Sequence, residues 1–274
     1  MFYNAKNERL VIGDTDMDYI SFGKGKKNLI LIPGLGDGLT TVRGLAIPYA
    51  LTHPEFAKEY KVYVFSRKNR LKQGYTTKDM ARDVFVAMSK LGIKKANIVG
   101  ISQGGMIAQH LALEHPERVN KLVLAVTICR QNETIQKCVS KWMRLAKKAD
   151  YRAVMKNTAE KMYVKRSDKM WYLPILEKFC APKDFERYLI MGKACLEHDT
   201  YEVIHKIQAP TLVIGGAKDI VLEGESSVEI AERIPNSRCV IFKEYGHGVY
   251  VETKKFAKTV LDFFRGKEQV YGII

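Results

Sequence analysis

The sequence predicts an α/β fold, with a mostly parallel central sheet of about eight strands, flanking helices and an inserted helical cap. Three observations support this prediction. Apolar strand patterns alternate with helical patterns from residue 28 to 126, which is typical of parallel strands joined by right-handed crossovers. From about Cys129 to His205 the patterns are helical. From Pro210 onward strands and helices alternate again.

The N-terminal stretch predicts three strands. Residues 9–13 and 17–22 are separated by a Gly-Asp turn signal and are expected to pair as a hairpin. Residues 28–32 are continuously apolar, as in a strand that is covered on both faces. They lead into residues 33–38, whose three glycines suggest a loop in which the backbone approaches another group closely.

The next stretch predicts alternating helices and strands. Residues 42–60 are helical in part, with Pro48 and Pro54 interrupting the pattern, and residues 60–65 form a strand. A basic loop is expected at residues 66–74.

Thr76 is typical of a helix N-cap, and its helix is expected to stop at Gly92. The following strand at 96–99 leads into a helix that ends at His115, and a further strand covers 119–126.

The break in the alternation divides the chain. We expect an α/β core formed by residues 1–128 and 206–274, with residues 129–205 inserted as a helical cap after the sixth strand. The cap helices are predicted at 135–149, 151–163, 170–179 and 184–198. The core then resumes with strands at 210–215 and 238–242 and with helices at 226–234 and 252–264.

Ser102 lies in a G-x-S-x-G pattern between a predicted strand and a predicted helix. This context is typical of a nucleophile elbow, a sharp turn that holds the serine in a strained conformation with its hydroxyl projecting from the sheet. Gly100 and Gly104 leave room where the strand and the helix cross. The N–H of Gln103 opens the helix and is a candidate donor to an oxyanion. A surface serine in a glycine-rich turn is the alternative.

A nucleophilic serine needs a base and a third group that orients this base. In the elbow architecture the acid and then the histidine follow the serine along the chain. His247 follows the last predicted strand in a loop bracketed by glycines, and Asp219 follows the strand at 210–215, where α/β sheets bind their ligands. Ser102, Asp219 and His247 therefore form a candidate catalytic triad.

Other residues compete for these roles. Glu223 and Glu225 lie in the same stretch as Asp219, and Glu133 lies early in the cap. Of the remaining histidines, His198 and His205 lie at the end of the cap and are candidates for a substrate contact. The others are expected to be structural or surface residues: His53, His110 and His115.

Composition limits the other functional classes. No apolar stretch is long enough to span a bilayer, and the first residues lack the apolar region of a signal peptide. The five cysteines are odd in number and scattered, which favours reduced thiols in a cytoplasmic protein over disulfides or a zinc site. The net charge of +15 attracts anions in general, but no nucleic-acid-binding motif accompanies it, so no nucleic-acid partner is expected.

The basic charge is concentrated in the predicted cap. Between Cys129 and Met170 twelve Lys and Arg stand against four Asp and Glu, a net charge of +8. This segment either steers an anionic substrate or surface, or is the solvated outer face of the cap helices, and the second interpretation is favoured. Trp142 and Trp171 are candidate walls of an apolar substrate pocket, although packing inside the cap explains each of them as well.

Over almost its whole length the chain resembles the α/β-hydrolase fold superfamily. The resemblance is to the capped type, which includes small esterases, carbon–carbon bond hydrolases and haloperoxidase-like enzymes. It is carried by five motifs: Pro-Gly-Leu-Gly at 33–36, Gly-Ile-Ser-Gln-Gly-Gly at 100–105, His-Pro-Glu-Arg-Val at 115–119, Gly-Gly-Ala-Lys-Asp at 215–219 and Gly-His at 246–247.

The resemblance implies that Ser102, Asp219 and His247 are the nucleophile, the acid and the base. It also implies an oxyanion hole formed by the backbone N–H groups of Gln103 and Leu35, with Gly34 as a candidate substrate contact.

Two motifs depart from the family. Many members have His-Gly where this chain has Pro33-Gly34, so the oxyanion loop lacks the support of that histidine. Many also carry Asp-x-x-Gly-x-Gly after the fourth strand, whereas this chain has Ser-Arg-Lys-Asn-Arg at 66–70. That loop borders the site in relatives, so the difference weakens substrate assignments taken from them.

The sequence thus predicts a serine hydrolase that cleaves an ester-like bond of a small molecule through an acyl-enzyme and without a metal or organic cofactor. An anionic small molecule is one candidate substrate. Three alternatives stay open: an acyltransferase, a carbon–carbon bond hydrolase on the same triad, and a non-catalytic ligand-binding module. The oligomeric state is not indicated.

Overall fold

The central feature of the fold is one nine-stranded sheet. The computed structural model describes residues 3–164, 181–267 and 272–273. Its strands are β1 (Lys6–Ile12), β2 (Thr15–Phe22), β3 (Lys27–Ile32), β4 (Tyr60–Lys68), β5 (Ala96–Ile101), β6 (Val119–Ala125), β7 (Thr211–Gly216), β8 (Ser237–Phe242) and β9 (Gly272–Ile273).

The strands lie in the order β1-β2-β4-β3-β5-β6-β7-β8-β9. β1 pairs antiparallel with β2, and β2 pairs antiparallel with β4, while all the other neighbours are parallel. The predictions of a mostly parallel sheet and of an N-terminal hairpin are therefore confirmed. The strand beyond the predicted eight is β9, a two-residue strand that adds to the edge at β8.

Ten α-helices are found in the described part of the chain. They are α1 (Ala46–Thr52), α2 (Pro54–Glu59), α3 (Thr77–Lys90), α4 (Gln103–Glu114), α5 (Glu133–Lys147), α6 (Tyr151–Met162), α7 (Glu186–Leu196), α8 (Glu225–Arg233), α9 (Val249–Glu252) and α10 (Lys254–Arg265). Three 3₁₀ turns cover Leu35–Gly38, Pro116–Arg118 and Ile204–Lys206.

Helix α4 is the most central of these helices. It packs against β3, β5 and β6, and nine of its twelve residues are buried. A helix that is apolar on most sides needs cover all round, which the middle of a doubly covered sheet provides. The turn that bears Ser102 therefore starts from the centre of the molecule, at the carboxyl ends of the parallel strands.

Two sequence expectations are wrong in detail. Strand β4 does not end at Phe65 but continues through Arg67 to Lys68, so the predicted basic loop begins later. The polar residues Ser66 and Arg67 are buried, because both hydrogen-bond to the segment that follows β3. Pro48 does not interrupt α1 but lies in its first turn, where a missing N–H costs no helical hydrogen bond.

Helices α5, α6 and α7 lie between β6 and β7, and we call residues 129–205 the helical insert. Within its described parts, 129–164 and 181–205, the insert has no strand. Helix α5 packs on α6 and α7, and α7 packs on the 3₁₀ turn at Leu35–Gly38. No described helix is both long and apolar enough to cross a membrane.

Candidate active site

Ser102 occupies the turn between β5 and α4, with φ of 54° and ψ of −120°. A non-glycine residue in this region costs on the order of 1–3 kcal/mol and persists only where its surroundings impose it. The Ser102 N–H donates to the Ala125 carbonyl at 2.9 Å, and the Ser102 carbonyl accepts from the Gly105 N–H and the Thr127 hydroxyl, each at 2.8 Å. Hydrogen bonds on both sides thus hold the strained serine in place.

The glycines around Ser102 are required by close packing. A Cβ at Gly104 would lie 1.9 Å from the Ile32 carbonyl oxygen, and one at Gly100 would lie 2.5 Å from the Gly104 carbonyl oxygen. Neither obstacle is a flexible side chain, so a larger residue would force the helix and the strand apart. The predicted steric role of these two glycines is confirmed.

The structure brings Ser102, His247 and Asp219 together. The His247 Nε2 atom lies 3.1 Å from Ser102 Oγ, and His247 Nδ1 lies 2.9 Å from Asp219 Oδ2. His247 and Asp219 are buried, whereas Ser102 is partly exposed. Because Nδ1 faces a carboxylate acceptor, Nε2 is left to accept the serine proton.

The Asp219 carboxylate is fixed on both of its oxygens. Besides the contact of Oδ2 with His247, Oδ1 accepts the N–H groups of Val221 at 2.8 Å and Leu222 at 3.1 Å. Backbone donors of this kind stabilise the ionised carboxylate and fix its orientation. The loop after β7 therefore presents one carboxylate to the imidazole.

The rival acids lie at other positions and do not hydrogen-bond to His247 in the described chain. Glu223 accepts a hydrogen bond from Thr134, and Glu225 is the first residue of α8. Glu133 pairs with Lys137 on an exposed helix face. Of the four acids considered, Asp219 is the one that hydrogen-bonds to His247 in the described chain.

The two predicted oxyanion donors flank Ser102. Leu35 begins the 3₁₀ turn after β3, and Gln103 begins α4. Neither backbone N–H has an acceptor among the described residues, so both are free to bind an incoming oxygen. The loop after β3 runs close to Ser102, since a Cβ at Gly34 would lie 3.3 Å from Ser102 Cβ.

A buried charged cluster, which the sequence did not indicate, supports this loop. The Arg67 N–H donates to Asp37 Oδ2 at 2.9 Å, and the Arg67 guanidinium donates to the Pro33 carbonyl and, at 3.3 Å, to Gln103 Oε1. Arg187 on α7 pairs with the same Asp37 oxygen at 2.6 Å. We call Asp37, Arg67 and Arg187 the Arg-Asp-Arg cluster.

The Arg-Asp-Arg cluster carries net positive charge away from solvent. Arg67 is 2% exposed, and burial lowers its pKa to about 10, an effect that nearby Asp37 opposes and Arg187 reinforces. Arg67 therefore keeps its charge at neutral pH. Arg187 also donates to the carbonyls of Arg67 and Lys68, at 3.0 and 2.9 Å, which ties α7 to the end of β4.

The side chain of Gln103 links the elbow to the helical insert. Its Nε2 atom donates to the Met191 carbonyl at 2.7 Å and lies 3.1 Å from Cys195 Sγ. Gln103 is fully buried, so these bonds are not exchanged with solvent. One residue thus offers its backbone to the site and its side chain to α7.

The loop that carries His247 contacts the insert through its backbone. The Gly248 N–H donates to the Met162 carbonyl at 2.7 Å, and the Val164 N–H donates to Glu252 at 3.3 Å. A Cβ at Gly248 would lie 2.8 Å from the Met162 carbonyl oxygen. The end of α6 therefore packs closely against the loop that carries His247.

Of the two tryptophans that were predicted to wall the pocket, Trp142 lies in the described part of the chain. Trp142 is buried in α5, and its indole N–H donates to Asn157 of α6 at 3.2 Å, which favours packing within the insert over a substrate contact. Trp171 lies outside the described residues.

The candidate substrate contact of His198 is not supported. His198 is buried, its Nδ1 bonds to Thr77 at 3.0 Å, and its Nε2 bonds to Gln109 at 3.3 Å. Burial lowers the pKa of His198 to about 3. His205 is exposed in a 3₁₀ turn.

Metal ligation and thiol chemistry find little support in the described chain. No group of three or more His, Cys, Asp or Glu side chains there is arranged to hold a metal ion. The four cysteines within the described residues are free, and burial raises their pKa values to about 11 or 12: Cys129, Cys138, Cys195 and Cys239. Thiols with such pKa values are not thiolates at neutral pH, so they are poor nucleophiles.

Comparison with known proteins adds a family. The family model described as alpha/beta hydrolase fold matches residues 27–165, about half of the chain. A Caulobacter protein provisionally named carbamate hydrolase RutD is 30% identical over 205 residues, covering 70% of this chain and 74% of its own. The 2-hydroxymuconate semialdehyde hydrolase of a Pseudomonas species is 28% identical over 256 residues, covering 86% of each chain.

Solved structures share the fold. The crystal structure of an enol-lactonase from Burkholderia xenovorans superimposes with a TM-score of 0.81 over 94% of this chain and 100% of its own, at 22% identity. Likeness at this level of identity concerns the fold alone.

Proposed function

The chain belongs to the α/β hydrolase fold family, and from this premise we propose that it is a serine hydrolase that cleaves an ester-like bond of a small molecule. The observation that carries the proposal is the hydrogen-bonded series from Ser102 Oγ to His247 Nε2 and from His247 Nδ1 to Asp219, at 3.1 and 2.9 Å. A serine, a base and an orienting acid in this geometry can activate a hydroxyl for acyl transfer.

In the first half of the reaction, His247 removes the Ser102 proton while Oγ attacks the substrate carbonyl carbon. The carbonyl oxygen becomes an oxyanion, which the N–H groups of Leu35 and Gln103 stabilise. The intermediate then collapses, the bond to the leaving group breaks, and the leaving group takes its proton from the His247 imidazolium. Asp219 stabilises this imidazolium through Nδ1.

In the second half, water replaces the leaving group. His247 takes a proton from the water, whose oxygen attacks the acyl-Ser102 carbonyl carbon. Collapse of the second oxyanion breaks the bond to Ser102 Oγ, which regains its proton from His247 as the acid product departs. The same residues serve both halves, so the reaction needs no further group from the chain.

The helical insert fits the role of a cap that walls the site. Its helix α7 packs on the loop of Leu35, and the end of α6 packs on the loop of His247. Its described basic side chains are mostly exposed, which favours a solvated face over the steering of an anionic substrate. We therefore propose that residues 129–205 set the shape of the pocket, whereas residues 1–128 and 206–274 supply the chemistry.

A second candidate is hydrolysis of a carbon–carbon bond. It is favoured by the similarity to the 2-hydroxymuconate semialdehyde hydrolase, which covers 86% of both chains. Acyl transfer to another acceptor uses the same acyl-enzyme and stays an alternative, as does a ligand-binding module in which the triad turns nothing over.

The test is an assay of purified protein on p-nitrophenyl esters of increasing acyl length. We expect turnover by the wild type and loss of nearly all turnover in Ser102→Ala, with an unchanged melting temperature. Ser237→Ala is the matched control, because it removes a hydroxyl that bonds to the Ala231 carbonyl at 2.6 Å at the opposite end of the sheet. Equal activity in wild type and Ser102→Ala would contradict the serine mechanism.

A wild type that is inactive on every ester would turn the search to the second candidate. Release of a carboxylic acid from a carbon–carbon bond substrate, again lost in Ser102→Ala, would support that chemistry. Inactivity on ester, amide and carbon–carbon substrates alike would favour the ligand-binding module.

A further inference from the structure

We propose that Arg67 is a positioning residue that sets the geometry of the oxyanion hole. The proposal rests on the function proposed above and deepens it. The two N–H groups of the hole come from separate segments, the loop after β3 and the first turn of α4. Arg67 belongs to neither segment but lies near the end of β4, and its side chain contacts both.

One nitrogen of Arg67 bridges the two segments. Its Nη2 donates to the Pro33 carbonyl and, at 3.3 Å, to Gln103 Oε1. The Pro33 carbonyl belongs to the peptide that leads into Gly34, one residue before the Leu35 N–H. Because the same atom holds a group on each side of the hole, its position helps to set the spacing between the two oxyanion donors.

The guanidinium itself extends from a backbone that is fixed on both sides. The Arg67 N–H donates to Asp37 Oδ2 at 2.9 Å, and the Arg67 carbonyl accepts from Arg187 at 3.0 Å. Asp37 lies in the same 3₁₀ turn as Leu35. Arg67 therefore bonds to the loop after β3 at two points, at Pro33 near the start of the loop and at Asp37 further along it. A planar, buried guanidinium on a fixed backbone loses little freedom when the oxyanion forms.

Charge adds to geometry. Two arginines surround the one carboxylate of Asp37, Arg187 through its guanidinium and Arg67 through its backbone N–H, so the Arg-Asp-Arg cluster is positive beside the proposed oxyanion hole. Burial keeps solvent from screening this charge.

The two departures from the family pattern meet at Arg67. This residue comes from the stretch that replaces the glycine-containing loop after the fourth strand, and its acceptor Pro33 stands where many members have histidine. A proline side chain cannot donate a hydrogen bond to its surroundings, so position 33 offers only its carbonyl as an acceptor. Arg67 supplies the donor for that carbonyl and thereby supports the loop from β4.

The experiment compares Arg67→Met and Arg67→Lys with Arg118→Met. Arg118 is the matched control, because its guanidinium also donates to a backbone carbonyl, that of Ile93 at 2.8 Å, but makes no contact with the oxyanion loop or the elbow. The readouts are kcat and KM on the best p-nitrophenyl ester, the melting temperature, and the rate at which a fluorophosphonate labels Ser102. The phosphonyl oxygen of this probe must enter the oxyanion hole.

In Arg67→Met we expect kcat and the labelling rate to fall together by about tenfold to hundredfold, as for a misplaced reacting group, with KM changed by less than about twofold. Arg67→Lys should recover part of both rates, since it restores a positive donor. Arg118→Met should lower the melting temperature and leave kcat and the labelling rate unchanged. If Arg67→Met does not fold, Arg67→Lys against wild type carries the test.

Wild-type rates in folded Arg67→Met, or a change in KM alone, would overturn the proposal while leaving the serine mechanism intact. A fall in kcat without a fall in labelling would also overturn it, because the hole serves both reactions. A wild type that is not labelled at Ser102 would overturn the proposed function and the role of Arg67 together.

Discussion

The helical insert contacts the two sides of the site by different kinds of interaction. On the nucleophile side, α7 contributes the buried ion pair of Arg187 with Asp37 and accepts hydrogen bonds from the side chain of Gln103. On the base side, the end of α6 contributes a backbone carbonyl, that of Met162, to the N–H of Gly248. One side is therefore held by an ion pair and side-chain hydrogen bonds, and the other mainly by a main-chain hydrogen bond and close packing.

The difference shows what each side has to control. In the proposed mechanism negative charge develops in the oxyanion hole, so a positive cluster beside it would support the chemistry as well as the fold. In the same proposed mechanism Asp219 orients the His247 imidazole, so contacts with the insert need only keep the backbone of the His247 loop in place. Substitutions on the two sides should therefore lower activity or stability for different physical reasons.

The largest expected effect comes from removing the carboxylate that orients His247 on the base side while the fold is kept. Asp219→Asn keeps the shape of the side chain but removes the carboxylate that fixes the His247 tautomer, so kcat should fall by about 10³- to 10⁴-fold. Steady-state kinetics on an ester measure this loss, and thermal unfolding serves as the control. A fall of less than about tenfold would argue that another acid assists His247.

The next effect breaks the nucleophile side. Asp37→Asn removes the carboxylate that pairs with the largely buried Arg187 guanidinium, and loss of one partner of a buried pair costs about 3–5 kcal/mol. Urea unfolding measures the change in the free energy of unfolding. Glu244→Gln is the control, since it removes one partner of the exposed Lys218 pair and should cost less than about 1 kcal/mol. Equal costs for the two variants would contradict the role of buried charge on this side.

A smaller effect tests the close packing of Gly248 against Met162 on the base side. Gly248 has φ of −81°, which alanine adopts freely, but its Cβ would lie 2.8 Å from the Met162 carbonyl oxygen. Gly248→Ala should destabilise the protein by about 1–3 kcal/mol through overpacking, and it should lower kcat by moving His247. Gly36→Ala is the matched control for stability, because nothing lies within 4 Å of its Cβ position. A free energy of unfolding in Gly248→Ala equal to that of the wild type would show that the end of α6 shifts at little cost to accommodate the added methyl group.

The smallest effect concerns the point where the insert returns to the core. Burial lowers the pKa of His198 to about 3, so the folded chain leaves it neutral while the unfolded chain protonates it below about pH 6.5. Its contribution to stability is complete above about pH 6.5 and is lost as the pH falls towards 3. Between pH 7 and 5.5 this loss amounts to about 1 kcal/mol.

Chemical unfolding at both pH values measures that loss, and His198→Gln provides the comparison because it cannot titrate. The variant should lose less stability than the wild type over this interval. An equal loss would mean that His198 does not contribute, and that the partly buried His110, whose pKa burial lowers to about 4, or the carboxylates set the slope.

Local patterns were enough to predict the centre of the fold. Apolar runs such as residues 28–32 predict buried strands because both of their faces are covered, and the glycines around Ser102 predict the close crossing that the structure shows. The order of Ser102, Asp219 and His247 along the chain predicted which side chains would meet, since parallel strands end at one edge of the sheet.

Contacts between distant residues could not be predicted in this way. Arg187 and Asp37 are 150 positions apart, and nothing in either local pattern indicates a partner. Ser66 and Arg67 are predicted as a polar loop because polar residues usually face water, yet both are buried by bonds to the loop after β3. Trp142 carried an apolar pattern that fits a pocket wall and a packed interior equally, and only its bond to Asn157 separates them.

The bond from Gly248 to the Met162 carbonyl has a consequence for engineering. Donor and acceptor are both main-chain atoms, so no change of side chain at position 162 removes the acceptor. On the proposed role of the insert as a pocket wall, libraries that vary the inner faces of α5 and α6 should change substrate preference while the His247 loop keeps this contact. Replacement of the following loop in a way that shifts the end of α6 by one residue would break the bond from Gly248 to the Met162 carbonyl. We expect such variants to fold but to be inactive.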